Sequence, residues 1–489
     1  MKKTLPLNRF LIKRSIFIVF ALNLLFRLIN LDYGSYYLDE AANLWHFQQG
    51  FDAILSRGLN DVNPPVYGGL IFCWIKLFGI TEIATRSFSV IAMALCGACL
   101  FAFAKRYFNF KVAMTVALLF LLSDFLFKYS HAARPYALLC FQTTLSYLFL
   151  YAYTRKKRGI LLFAVFVTDV IMLYTHPTGV FNLAAQGIFL LFLLRSQFIT
   201  AFKAGLVLLL SIGVYYIWYS ISPAFDKQQV TWLDMPNLLN LEYAVSRLLD
   251  GFWLLAILTI GFALLVWMYF KHRTPSTQLF RLTGLLFLWV IIPPVVNAIL
   301  SFVAGVSIFT HYYMITVLPG FYFLLGVVLF YASKKLRVRM IFFIAPITIA
   351  MAGTLNYWST FDEDWRSAAN YTKENQTEKT SVFLSPQYQN RSFAFYYDRS
   401  FYEQSSRTFE LLDSCNVFLE RTTPIEKLIE DDRFEEMLFV LISQEPEKDA
   451  NLAIAKNKCE LISHVNFGQI HIYRLLLLQN RNNFMDSHI

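Results

Sequence analysis

PPVYGGLIFCWIKLFG, residues 64–79, is apolar enough to enter a membrane but too short to cross one comfortably. A spanning helix needs about 20 apolar residues, with about 17 as a lower limit. Counted as a span, this stretch inverts every later loop and turns most cationic clusters outward. Read as a re-entrant or interfacial helix, it lets the whole chain keep one phase. About eleven spans then fall near 15–31, 83–104, 112–128, 136–153, 160–175, 179–194, 204–221, 251–270, 280–300, 312–331 and 340–357. Every second link carries cations, as at Lys13-Arg14, Lys105-Arg106, Arg155 to Arg158, Arg195 with Lys203, Lys271 to Arg273, and Lys334 to Arg339. The positive-inside bias places these links in the cytoplasm, with the amino terminus. The alternate links, 32–82, 129–135, 175–178, 222–250, 301–311 and everything after 357, are rich in Asp, His, Tyr and Pro. They fall outside the cell membrane.

Composition agrees. Of 489 residues, 57% are hydrophobic and only 16% charged, which is outside the range of ordinary soluble domains. The 49 Phe and 27 Tyr suit lipid contact and interfacial belts. The net charge of +10 sits in the short links, so it reads as orientation and not as a nucleic-acid surface. The run 15–31 lacks a small-residue cleavage site and reads as a retained anchor. Residues 43–58 read as a second interfacial helix ahead of Pro64.

The chain is thus expected to be an α-helical polytopic membrane domain, 1–357, followed by a small extracytoplasmic α/β domain, 358–489. In that tail SVFLS (381–385) and MLFVLIS (437–443) read as strands, with helical patterns between them, including 424–436. Cys415 and Cys459 lie in the tail, where a disulfide and two free thiols are both open.

The outward links hold the groups that could do chemistry. Asp39 and Glu40 are adjacent carboxylates just past the first span. Asp39 would serve as a general base toward an acceptor hydroxyl, with Glu40 beside it. The alternative is a solvated pair at a helix N-terminus. Asp61, ahead of Pro64-Pro65, would help bind an acceptor or a metal, or simply cap a helix. Arg86 and Arg134 stand at membrane boundaries, where arginine either snorkels or binds phosphate through its fork. Tyr136 follows Arg134. His176 and the pair His311-Tyr312 lie at two further outward turns. Two histidines with Asp39 or Asp61 would suffice for a divalent metal, but no ligand spacing supports one. There is no Walker loop, Rossmann glycine fingerprint or HExxH. A polytopic lipid or small-molecule transporter or flippase is the competing reading. It predicts repeated halves and interrupted helices near mid-membrane.

At these residues the chain resembles the family 39 glycosyltransferases, which include protein O-mannosyltransferases and the lipid A aminoarabinose transferase. The resemblance lies in Tyr37-Leu38-Asp39-Glu40-Ala41, Asn63-Pro64-Pro65-Val66-Tyr67, Leu77-Phe78-Gly79, Arg86-Ser87, Ala133 to Leu139, Tyr174-Thr175-His176 and Asp364-Trp365-Arg366. It covers roughly residues 15–370, and the first hundred are the most specific. It implies a GT-C fold and a polyprenyl-phosphate-linked hexose or pentose as donor. It also implies an essential acidic residue in the first loop, which maps onto Asp39. The acceptor would be a hydroxyl on a lipid, glycan or protein, expected to attack the sugar carbon with inversion. Two departures stand out: the family often has Arg-Tyr where this chain has His311-Tyr312, and many members carry an acidic residue within the segment 131–134.

Overall fold

The computed structural model describes residues 6–60, 64–222, 235–248, 277–305, 307–333 and 363–478, with single positions 256, 259, 263 and 348. The expected spans 251–270 and 340–357, the boundary at 357/358 and Asp61 lie outside the described residues. The chain divides into two compact units. One comprises 1–31 with 54–359, the other 32–53 with 360–489. The first part of the first link, 32–53, thus groups with the tail, while 54–82 group with the helices.

The first unit is helical. Helix α1 runs Pro6–Leu28. Helices α2 (Leu38–Phe47) and α3 (Phe51–Asn60) replace the single expected helix at 43–58, because the chain turns at Gly50 with φ +123°, open to glycine. Of these, α2 belongs to the second unit. Then follow α4 (Pro65–Phe78), α5 (Glu82–Tyr107), α6 (Phe110–Leu121), α7 (Asp124–Ser130), α8 (Tyr136–Lys156), α9 (Gly159–Leu173) and α10 (Gly179–Ile221). Helix α11 spans Leu238–Leu248 and α12 Thr277–Ala304. A 3-10 segment, His311–Val317, leads into α13 (Leu318–Ser333).

Among the described residues four helical stretches are long and apolar enough to cross a membrane: 82–107, 179–221, 280–304 and 311–330. A bent pair makes a fifth, and 65–78 and 159–173 are apolar but shorter. The bent pair is α6 and α7, which meet at 61° and not as one straight span over 112–128. Ser123 restarts the chain there, its Oγ accepting from Leu126 N at 3.3 Å. Helix α10 joins two expected spans. At 43 residues it would measure about 65 Å, twice a hydrocarbon core, and it breaks at Gln197 (φ −144°, ψ 52°), between Arg195 and Lys203.

The bundle is stitched by a few buried polar contacts. Ser146 of α8 donates to Asp169 of α9 and accepts from Gln186 of α10 at 2.7 Å. Trp289 of α12 stacks on Tyr147 at 4.1 Å and donates to the Thr316 carbonyl at 2.8 Å. Gly320 permits this: a Cβ there would sit 2.7 Å from the indole. The indole thereby fixes the 3-10 segment that carries His311 and Tyr312.

The second unit is a three-layer α/β domain around a five-stranded sheet of order β2-β1-β3-β5-β4. The strands are β1 (Thr380–Ser385), β2 (Val417–Leu419), β3 (Glu436–Ile442), β4 (Cys459–Phe467) and β5 (Ile470–Leu477). Strand β1 pairs in parallel with both β2 and β3, while β3–β5 and β4–β5 are antiparallel. Strand alternation sends Val382, Leu384, Leu438 and Val440 to one face, and Phe383, Met437, Phe439 and Leu441 to the other. Helices α14 (Trp365–Asn375), α15 (Asn390–Tyr397), α16 (Arg399–Glu403) and α17 (Thr408–Ser414) follow one another along the chain. Of these, α14, α15 and α17 supply core residues to the first face. Helices α18 (Ile425–Ile429) and α19 (Ala450–Lys458) cover the second. The helix expected over 424–436 is therefore only one turn long. Asp431 stops it by accepting from the Arg433 backbone N–H at 3.1 Å, and β3 begins at Glu436. Cys415 and Cys459 are both free thiols.

Candidate active site

Five of the residues singled out in the sequence meet at one end of the helical unit. The turn 131–135 starts α8 with Pro135 at its N-cap, and the Arg134 N–H bonds the Ala132 carbonyl at 2.9 Å. This sets the half-buried Arg134 guanidinium 5.5 Å over the Tyr136 ring, with Nη2 donating to the Tyr136 hydroxyl at 3.3 Å. The Tyr136 ring lies 5.7 Å from His176 and 5.6 Å from Tyr312. His311 is 5.2 Å from Tyr312, and Tyr313 is 5.1 Å from His176. Three distant stretches, 134–136, 176 and 311–313, therefore converge on one aromatic and cationic cluster.

His176 is held from its own turn. The Thr178 N–H donates to Nδ1 at 3.4 Å and the Thr178 hydroxyl lies 2.8 Å from the same nitrogen, which puts the ring proton on Nε2. Burial, assisted by the Arg134 charge, pushes this histidine down to about 3, so it is neutral. The Tyr174 carbonyl of this turn accepts from Val66 N at 3.0 Å, tying α4 to the cluster.

Arg86 is buried behind the 131–135 turn, and its Nη1 donates to the Leu31 carbonyl at 3.1 Å. Ser89, one turn on, donates to the Ala132 carbonyl at 2.6 Å. His131 contacts the Arg27 carbonyl through Nε2 at 2.8 Å. Burial, with Arg86 and Arg27 nearby, pushes His131 down to about 3 as well.

Two cations of this region escaped the sequence reading. Arg27, fully buried in α1, donates from Nη2 to the Phe120 carbonyl at 3.0 Å, at the open end of α6. Its position inside an apolar run gave no hint of a polar partner 93 residues away. Arg247 of α11 donates to the Tyr243 hydroxyl at 3.3 Å, and the Tyr243 ring lies 5.5 Å from His311. Lys128 and Arg247 both lie within electrostatic reach of His311. The amphipathic pattern of 238–248 was the one available signal for Arg247.

Asp39 and Glu40 belong to the second unit, in the first turn of α2. Asp39 is exposed and Glu40 is fully buried. Among the described residues no group of three His, Cys, Asp or Glu could hold a metal ion.

Residues 62–231 match the family model described as dolichyl-phosphate-mannose-protein mannosyltransferase. An uncharacterized protein of Aquifex aeolicus (strain VF5) is 26% identical over 183 residues. That match spans 37% of this chain and 36% of the relative's own length. The structure of ArnT from Cupriavidus metallidurans in the apo state is similar with a TM-score of 0.56 at 13% identity, over 94% of this chain and 98% of that one. The archaeal oligosaccharyltransferase AglB from Archaeoglobus fulgidus is similar with a TM-score of 0.51 at 12% identity, over 95% and 74%. The chain has the GT-C membrane fold that ArnT and AglB share, and its residues 62–231 match the dolichyl-phosphate-mannose-protein mannosyltransferase family model.

Proposed function

We propose that this protein is a membrane glycosyltransferase that moves a sugar from a polyprenyl-phosphate-linked donor to an acceptor hydroxyl on the extracytoplasmic side. The observation that carries the reading is the convergence of Arg134, Tyr136, His176 and Tyr312 at one end of an apolar helical bundle. A polyprenyl tail belongs in lipid and its phosphate at the boundary. A guanidinium backed by aromatic rings in a partly water-excluded setting suits that phosphate. Support also comes from two structures of the same fold: ArnT is bound to undecaprenyl phosphate, and AglB is in complex with an inhibitory peptide and a dolichol-phosphate.

The acceptor oxygen attacks the sugar carbon from the face opposite the phosphate. The carbon–oxygen bond to phosphate breaks, its electron pair leaves on the polyprenyl phosphate, and the acceptor's proton goes to Asp39, the base that the family resemblance implies. Arg134 steadies the charge that grows on the departing phosphate. That leaving group needs no protonation, so one base suffices, unlike the carboxylate pair of a glycosidase. His176, neutral and protonated on Nε2, donates a hydrogen bond without adding charge. The gathering of Arg134, Tyr136, His176 and Tyr312 at one end of the helical unit favours transfer at an interface over transport through the bundle.

The test is a transfer assay with full-length protein and a polyprenyl-phosphate sugar, alongside mass spectrometry of envelope glycolipids and glycoproteins. Wild type transfers sugar, while Arg134→Ala and Asp39→Asn lose about 10²-fold or more of the rate. Transfer at the wild-type rate by both variants overturns the reading.

A further inference from the structure

The residues that hold α2 lie some 350 positions further along the chain. Tyr402, fully buried, donates from its hydroxyl to the Ala41 carbonyl at 2.5 Å, one residue past Glu40. The Tyr402 carbonyl accepts from Gln48 Nε2 at 2.9 Å, at the C-cap of the same helix. One residue therefore grips α2 at both ends. Between them Trp45 donates to Thr408 Oγ1 at 3.1 Å, and the Arg391 guanidinium lies 4.6 Å over the Trp45 indole. The buried face of α2 (Glu40, Ala41, Leu44, Trp45) is thus matched by polar and aromatic partners on α15 to α17, while Asp39 alone of the carboxylate pair points outward.

A bare hydrophobic contact would hold α2 against the domain but let it slide or roll. The Tyr402 bonds forbid both, because they fix one carbonyl in the first turn and one amide at the last. Asp39 lies two residues before the fixed carbonyl, so its carboxylate moves with that turn. We propose that the C-terminal unit is the positioning device for Asp39, with Tyr402 as the positioning residue that sets the register and roll of α2. This rests on the proposed role of Asp39 as base. It assigns the tail a part in the chemical step.

Full-length Tyr402→Phe in membranes or detergent tests it, because the ring is kept and only the hydroxyl is lost. The expected result is a fall in kcat of about tenfold, with the KM for the donor unchanged within a factor of two. Amide exchange should quicken across α2 and stay the same in β1 and β3. Trp45→Phe, which releases Thr408, should give a smaller fall of the same kind and serves if Tyr402→Phe does not fold. The surface variant Tyr388→Phe should match wild type. Wild-type kcat in a folded Tyr402→Phe protein overturns the positioning role while leaving the function above intact. Equal losses in kcat and donor affinity also overturn it. A wild-type rate for Asp39→Asn sinks the role of the base, and the positioning of that base falls with it.

Discussion

The helical unit and the sheet unit hold their candidate residues by different forces. Around Arg134 the ring contacts run at 5.1–5.7 Å, and the guanidinium bonds the Tyr136 hydroxyl at 3.3 Å. Around α2 they are directed hydrogen bonds of 2.5–3.1 Å onto the helix backbone and its side chains. A cluster made by packing tolerates loss of one atom but not loss of a side chain. A helix held by a few directed bonds is sensitive to single atoms. The difference suits two tasks: a phosphate needs a charged surface of some breadth, whereas a base must point in one direction.

The largest effect tests this at the carboxylate pair. Asp39→Asn is expected to lower kcat on the order of 10³-fold, the scale of a lost general base, with no change in thermal stability because the side chain is exposed. Glu40→Gln is expected to do the reverse. It disturbs a fully buried group and should lower stability by about 1–3 kcal/mol, measured by thermal unfolding. If the two variants swap behaviours, Glu40 is the base and Asp39 the bystander.

The next effect is at the cluster. Arg134→Ala is expected to lower kcat/KM by about 10²–10³-fold, as for other groups that meet charge developing in the transition state. Arg134→Lys should recover part of this, because the charge returns but the fork does not. Tyr136→Phe should cost only a few-fold, since ring packing survives the loss of a 3.3 Å bond. A Tyr136→Phe loss as deep as that of Arg134→Ala would erase the contrast between packing and bonding.

Much of this was legible in the sequence, and the exceptions share a cause. Helices from α5 to α10 follow apolar runs within a few residues, and β1 and β3 fall on the two alternating patches, because local patterns specify local structure. The gathering of Arg134, Tyr136, His176, His311 and Tyr312 was foreseeable because all five sit in, or directly after, alternate links of one topology. What could not be read depends on distant partners. The Trp365 N–H bonds Ser35 Oγ at 3.0 Å across 330 residues, so the joining of 32–53 to the tail leaves no local trace. Arg27 stands inside the first apolar run, and the α6 carbonyl that it bonds lies 93 residues away. Glu40 and Asp39 are neighbours with opposite burial, and only a helix seated on a surface separates them.

The smallest effect is on pH, and it probes the cluster directly. His176 is held down to about 3 by burial and by Arg134, whereas an unfolded histidine titrates near 6.5. Between those values the unfolded chain takes up a proton that the folded chain refuses. The stabilising contribution is therefore complete above about 6.5 and is lost as pH falls toward 3, by at most about 1.4 kcal/mol per pH unit. His131 adds a second contribution of the same sign. Thermal unfolding measured from pH 7.5 to 5 should show the decline, and His176→Asn should flatten it. A phosphate seated beside Arg134 would offset the cationic field and favour the protonated ring. Polyprenyl phosphate should then shrink the decline in wild type and leave His176→Asn unmoved. If the ligand moves neither protein, its phosphate does not sit in the ring cluster, and the phosphate-holding task must be sought elsewhere in the molecule.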